Sequence, residues 1–420
     1  MQRIKILELF GGIGSPRMAL ENLGIPLKLI DYVEVLDFAV LAYNKMFQHE
    51  HIAQNVKEWN LHVDILIHGS PCQDFSLAGK NDLASGRSIL YKRTLEIIEK
   101  ELNPKPQVVI WENVPNLLSP KNLPHFQQYL DTLAKLGYKN EYRILNGKDF
   151  GIPQNRKRVF VVSIHKDSKF TFDFDNLQSK VLDKTLKNYL EPHDKVDEWY
   201  YLKEKHIAKS VERGMIRIVQ NNVGTMVDGQ TLWNNSHTTI PLTSYVRENI
   251  VLDSAAPVAD CIIAQNPRWH KIAVPVKKIQ FSKTGRTLLP MTTYIQENEV
   301  FSQDGIVGTI GATNSLARRK VAIPIKDLTN NYVPNVLVDA MDPIEGIPIF
   351  MIDGKPYHIR ILTEKECWRL MGFSDTTIKK VFDCQPPIPR KELYKLAGNS
   401  IIVQVMEAIF SELLKPWRKN

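Results

Sequence analysis

Apolar residues in the first part of the chain fall into short continuous runs separated by longer stretches in which they recur at helical spacing. That is the pattern of a parallel sheet covered by helices. Residues 4–10, 63–68, 108–112 and 159–164 predict strands, and residues 90–102 and 126–136 predict helices, the second stopped by Gly137. After the first strand, Ser15 and Pro16 suit the cap and first position of a helix closing at Gly24, and Glu34 ends the next strand. The expected fold class is α/β, a doubly wound, Rossmann-like domain. Beyond about Lys180 the texture changes to short Val, Thr and Ile runs broken by Gly, Asn, Pro and Asp, which predicts a smaller, mostly β and irregular domain. Helices return late: Thr363 with Glu366 predicts a capping box for a helix ending near Gly372, and Ser400 a cap for a last apolar helix running to Leu414.

Composition narrows the class. With 420 residues and 43% hydrophobic content the chain can bury a large core and two or three domain-sized units. No run of about 18 apolar residues occurs, and Met1 leads directly into the first strand, so neither a membrane partner nor a signal peptide is expected and the expected location is cytoplasmic. Cys72, Cys261, Cys367 and Cys384 are widely spaced, which predicts reduced thiols and no zinc site. An excess of 54 Lys and Arg over 46 Asp and Glu, a formal charge of +8, favours a polyanionic partner without identifying one.

The chemistry gathers at predicted strand ends. Phe10-Gly11-Gly12-Ile13-Gly14 follows the first strand as a glycine turn that lets backbone approach a ligand, and Glu34 can accept hydrogen bonds from ribose hydroxyls. This pairing suits a nucleoside-containing cofactor and leaves NAD, FAD and S-adenosylmethionine open. The strand at 63–68 runs into Gly69-Ser70-Pro71-Cys72-Gln73-Asp74-Phe75-Ser76, which places a reachable thiol at the carboxyl edge of the sheet. Glu112-Asn113-Val114 and Gln154-Asn155-Arg156-Lys157-Arg158 bring a carboxyl and a basic cluster to the same crevice. Thiol, carboxyl and guanidinium together match methylation of cytosine at carbon 5, a position that becomes nucleophilic only after a thiolate adds at carbon 6. On that reading Cys72 is the nucleophile, Glu112 carries a proton at ring nitrogen 3, Arg158 donates to the base carbonyl, and Arg156 orients the thiolate or a target phosphate.

In these blocks and their order the chain resembles the bacterial and phage DNA (cytosine-5) methyltransferase family over nearly its whole length. The resemblance implies an S-adenosylmethionine-dependent methyltransferase domain followed by a target recognition domain, with the product S-adenosylhomocysteine. It implies cofactor contacts from Phe10, Gly12, Ile13, Gly14, Glu34, Asn55, Pro71, Leu90, Asn399 and Ile401. It assigns Cys72, Glu112, Arg156 and Arg158 to catalysis, and Gln73, Ser76, Asn113 and Thr309 to the substrate. Arg87 stands where the family has a helix-opening arginine. The later block from Arg360 through Leu362, Thr363, Glu366, Arg369 and Leu370 to Gly372-Phe373 is similar to the one that organises the recognition domain, and Gly398-Asn399-Ser400 to the one that returns to the cofactor. The implied division is 1–185 for catalysis and cofactor, 186–392 for target recognition, and 393–420 for a helix returning to the first unit.

Departures from the family pattern leave this chemistry intact. Asn55 stands where an Asp usually receives the adenine amino group, Asp37 falls one place late after Glu34 and is left out of the site, and Ser374 replaces a common Pro. In the recognition region, residues 305–310 resemble the family's short Thr-Ile core, and Arg318, Arg319 and Lys320 are phosphate-contact candidates. His237, Trp269, His270 and Arg286 are candidates for reading base edges. The expected partner is double-stranded DNA with the target base flipped out, acted on by a monomer; a cognate restriction endonuclease is left open. The rivals are a transfer RNA cytosine methyltransferase, disfavoured by the long recognition region, and a silent DNA-binding regulator, disfavoured because the catalytic residues are present.

Overall fold

The computed structural model describes residues 4–56, 63–70, 90–201, 217–219, 225–227, 230–232, 299–302, 307–308, 320–324, 350–352 and 355–415. Its centre is a six-stranded sheet. Strands β1 (Ile4–Leu9), β2 (Leu27–Val33), β3 (Ile65–His68) and β4 (Val108–Asn113) pair in parallel in the order β2-β1-β3-β4. The next long strands are β5 (Tyr138–Asn146) and, after the two-residue β6 (Gln154–Asn155), β7 (Lys157–His165). Strand β7 is inserted antiparallel between β4 and β5, so the strand at 159–164 runs against the others rather than completing an all-parallel sheet.

Alternation along the strands feeds two cores. Ile4, Ile6, Ile65, Ile67, Val108, Ile110, Phe160 and Val162 belong to one cluster, and Leu7, Leu9, Leu66, Val109, Trp111, Val159 and Val161 to the other. Burial on both faces is why these strands read as continuous apolar runs. The first cluster takes in residues of α1 (Ser15–Asn22) and α2 (Asp37–Phe47); the second takes in α3 (Leu90–Glu96, continued as a π-helical turn to Glu101) and α4 (Leu123–Lys135). Gly137, at φ 92°, follows α4 as anticipated. The doubly wound expectation holds.

Two predicted caps move. Gly14, not Ser15, caps α1, in a left-handed conformation at φ 73°, and Ser15 enters the helix as its first residue. Ser400 does not cap the last helix but closes α7 (Arg390–Asn399), while Ile402 precedes α8 (Val403–Leu413). The two serines instead share a buried hydrogen bond, Oγ to Oγ at 2.5 Å, which joins the glycine turn to the returning C-terminal segment. Arg390–Leu413 is the run of described residues long and apolar enough to cross a membrane; 78% of its 18-residue apolar window is buried, and its α8 part packs into the first core.

Helices α5 (Glu364–Arg369) and α6 (Asp375–Phe382) also bury in that core through Cys367, Trp368, Ile378 and Val381, as does Leu186. Apolar side chains from Leu362 onward thus share one core with those of the first strands and helices. The β-rich region itself contributes a five-stranded sheet of Arg217–Val219, Glu299–Ser302, Lys320–Pro324, Phe350–Ile352 and Lys355–Ile361, and a short pair of Thr225–Val227 with Gln230–Leu232. Its two-residue strand Val307–Gly308 pairs with β6 directly before Arg156.

The crossing point carries a buried ion pair. Arg360 donates to both carboxylate oxygens of Glu366, at 2.8 and 2.6 Å, with both side chains fully buried. Glu366 also completes the predicted capping box with Thr363 and accepts from the Glu191 amide at 2.7 Å. The outgoing and returning chain segments are thus held by one carboxylate.

Candidate active site

Reversal of β7 assembles the site. Residues that precede a parallel strand lie at the opposite edge from those that follow one. Because β7 is antiparallel, Arg156 and Arg158 meet the carboxyl ends of β3 and β4, with Glu112 opposite Phe160 and Asn113 opposite Val159. The Nε of Arg158 lies 3.1 Å from Glu112 Oε1, with both side chains largely shielded from solvent. Burial raises the Glu112 carboxyl above its ordinary range, and the charges of Arg158 and Arg156 pull against it. The upward direction favours the protonated carboxyl, the form the expected chemistry uses. A Cβ added at Gly69 would sit 3.6 Å from Glu112 Oε2, so the exit of β3 passes directly over the carboxyl.

Cys72, Pro71, Gln73, Ser76, Arg87, Thr309, Arg318, Arg319, His237, Trp269, His270 and Arg286 lie outside the described residues. The described approach to Cys72 ends at Ser70, beside Glu112. Two of the assigned residues are engaged within the protein. Arg156 is 4% exposed, and its Nη2 donates to the carbonyls of Gly398 at 2.9 Å and Ser400 at 2.7 Å, which braces the C-terminal segment against the arginine block. Asn113 is 2% exposed; its amide donates to Ser70 O at 3.3 Å and its carbonyl oxygen accepts from the Val114 amide at 2.8 Å, which ties the ends of the two strands together.

The cofactor residues converge at the ends of β1 and β2. Glu34 accepts from the Gly12 amide at 3.0 Å with one carboxylate oxygen and from the Val35 and Leu36 amides at 2.8 and 3.0 Å with the other, while the Tyr32 hydroxyl donates to Gly12 O at 2.6 Å. Phe10 and Gly12 have positive φ, and a Cβ at Gly12 would meet no protein atom within 4 Å, an open cradle of the kind a ligand fills. A Cβ at Gly14 would instead strike the rings of Tyr43 and Phe47 at 2.6–2.7 Å, so that glycine is needed for packing. Ile13 is 1% exposed within the core and can serve a ligand only through its backbone. Asn55 and Asn399 are exposed, Ile401 is half-buried, and Leu90 opens α3.

Sequence reasoning missed the next part of this site. Val35, Leu36, Asp37 and Phe38 line a cavity of about 270 Å³ together with Glu392, Lys395 and Leu396 of α7. Val35, 62% exposed, and Phe38, 38% exposed, directly after Glu34 offer apolar surface for a flat aromatic group. Their signal was apolar residues following the ribose-type acid, but the contribution of α7 required the tertiary fold. The donor set, the open glycine and this cavity fit S-adenosylmethionine. Among the described residues no group of three His, Cys, Asp or Glu could hold a metal ion.

Comparison with known proteins agrees with this arrangement. The family model for C-5 cytosine-specific DNA methylases matches residues 4–415. The chain is 24% identical to the orphan methyltransferase M.SPRI of Bacillus phage SPR, over 99% of this chain and 98% of that one. It is 32% identical to the type II methyltransferase M.Bsp6I of Bacillus sp. strain RFL6, over 48% of this chain and 64% of that one. The crystal structure of the S. pombe Dnmt2 methyltransferase superposes with a TM-score of 0.61 at 18% identity, covering 99% of both chains, a likeness of fold.

Proposed function

Since the chain belongs to the C-5 cytosine-specific DNA methylase family, and is therefore a methyltransferase, we propose that it methylates carbon 5 of a flipped cytosine in duplex DNA at a specific site, through a covalent adduct with Cys72. The observation that carries this reading is the shielded Glu112–Arg158 pair beside the exit of β3, two residues before Pro71-Cys72.

Cys72 attacks carbon 6 as the thiolate, forming the carbon–sulfur bond while Glu112 holds a proton at ring nitrogen 3 and Arg158 donates to the base carbonyl. Electron density then sits at carbon 5. The backbone of Gly12, the carboxylate of Glu34 and the cavity beside Val35 and Phe38 would hold S-adenosylmethionine, whose methyl–sulfonium bond would break as the methyl passes to carbon 5, leaving S-adenosylhomocysteine. Loss of the carbon 5 proton to a base expels the Cys72 thiolate and restores the ring. Arg156 keeps the C-terminal segment against the arginine block throughout.

The long β-rich region and the orphan and type II methyltransferase names of the relatives favour DNA over transfer RNA, and a cytoplasmic monomer is the accompanying expectation. The orphan relative favours action without a cognate endonuclease. Labelled cofactor incubated with duplex DNA and with transfer RNA tests the choice: label in DNA is expected, and label in transfer RNA alone overturns it. Cys72→Ala is expected to abolish transfer and to leave DNA binding measurable. DNA carrying 5-fluorocytosine is expected to trap an adduct on Cys72, and its absence in an active preparation contradicts the covalent step.

A further inference from the structure

We infer that Trp111 is a positioning residue for Cys72, acting through Ser70. The inference rests on the reading of Cys72 as nucleophile. Strand β3 ends at His68, and two residues later Ser70 is seized at two points: Trp111 Nε1 donates to its Oγ at 2.9 Å, and Asn113 Nδ2 donates to its carbonyl at 3.3 Å. Both donors stand on β4, the strand that also carries Glu112 between them. One short segment therefore holds the proton carrier and fixes the backbone that leads into the thiol.

The anchor is rigid. Trp111 is 1% exposed, with Tyr129 at 4.1 Å between ring centroids and His68 stacked at 5.6 Å with 7° between planes. Tyr91 and Phe126 lie at 5.7 and 6.1 Å. His68 shares a 2.8 Å hydrogen bond with the Tyr129 hydroxyl, and its burial holds the imidazole neutral, so no charge disturbs the cage. Such an indole has no rotamer to change, and its N–H has Ser70 as its acceptor. A tryptophan chosen for bulk alone would not need that donor, whereas one that sets the direction of the β3 exit would.

The test uses the full chain as Trp111→Phe, Ser70→Ala, the double variant and Ser70→Thr. Trp111→Phe keeps an aromatic ring and loses the donor, Ser70→Ala loses only the acceptor, and Ser70→Thr restores a hydroxyl. Trp111→Phe and Ser70→Ala are each expected to lower single-turnover methyl transfer by about 10- to 100-fold with KM for DNA little changed, as misplacement of a reacting group does. The double variant is expected to be no slower than either single one, and Ser70→Thr to recover most of the rate. The pH profile of Cys72 alkylation by iodoacetamide is expected to shift in both single variants. Wild-type rates and profiles in Ser70→Ala, or losses that multiply in the double variant, overturn the inference. Ser70→Ala removes one atom and decides the matter if Trp111→Phe does not fold. A wild-type chain that methylates no nucleic acid fails the proposed function instead; the alkylation profile still judges the anchor.

Discussion

Glu8 is 1% exposed on β1, and among the described residues no side chain donates a hydrogen bond to its carboxylate. Burial raises its carboxyl from 4.5 to about 8 against the pull of Arg17. Between those two values the folded chain holds a proton that the unfolded chain has released, so stability falls as pH rises from about 4.5 to about 8. Glu8→Gln removes that loss. Thermal melts without cofactor are expected to show a gain on the order of 3 kcal/mol at pH 8 and almost none at pH 4, and an equal gain at both rules out the ionisation. Glu112→Gln belongs to the same scale with a different outcome. It retains a polar group beside Arg158 but cannot carry the exchanging proton, so transfer is expected to fall by about 10²- to 10⁴-fold while the melting temperature at pH 8 holds or rises.

At the scale of elements, the Arg360–Glu366 pair makes the strand Lys355–Ile361 and helix α5 one unit. Removing one partner leaves a charge with no solvent access, and Glu366→Leu is expected to cost about 3–5 kcal/mol in urea unfolding. The double variant Arg360→Met with Glu366→Leu is expected to recover much of that cost; a double variant as unstable as the single one argues against the ion pair as the cause. The capping box here was legible because Thr363 and Glu366 are three residues apart and the motif is local. The partnership with Arg360 and the Glu191 amide was not, since one residue lies across a strand end and the other 175 residues away. The same contrast explains β5, whose pattern of half-buried and exposed positions at the sheet edge lacks the apolar run that marked its neighbours. It explains Asn113 and Arg156 as well: their residue types suit a substrate, and only their burial shows that strand ends and carbonyls already occupy them.

At the scale of the molecule, glycine turn, C-terminal segment and arginine block are linked through Ser15, Ser400 and Arg156. A ligand at the glycine turn should therefore stabilise the first unit as a whole. S-adenosylhomocysteine at about 100 times its Kd is expected to add roughly 2.7 kcal/mol to unfolding, read as an upward shift in melting temperature. Gly12→Val, which places a β-branched side chain at φ 56° and fills the open cradle, is expected to remove that shift. A ligand shift that survives Gly12→Val would mean the cofactor lies elsewhere.

Taken alone, the order of residues determined the strands of the central sheet other than β5, the glycine turn, the acid after β2, the thiol after β3 and the carboxyl on β4. Each is a local feature, set by side-chain alternation or by a motif within a few residues. Tertiary structure decided what those features do together: the reversed β7 that turns residues preceding a strand toward the strand ends where Glu112 waits, the α7 wall of the cavity beside Val35, and the Trp111 anchor on Ser70. These depend on strand direction and on contacts between residues far apart in the chain, which hydrophobic period does not encode, because a strand buried on both faces reads the same in either direction.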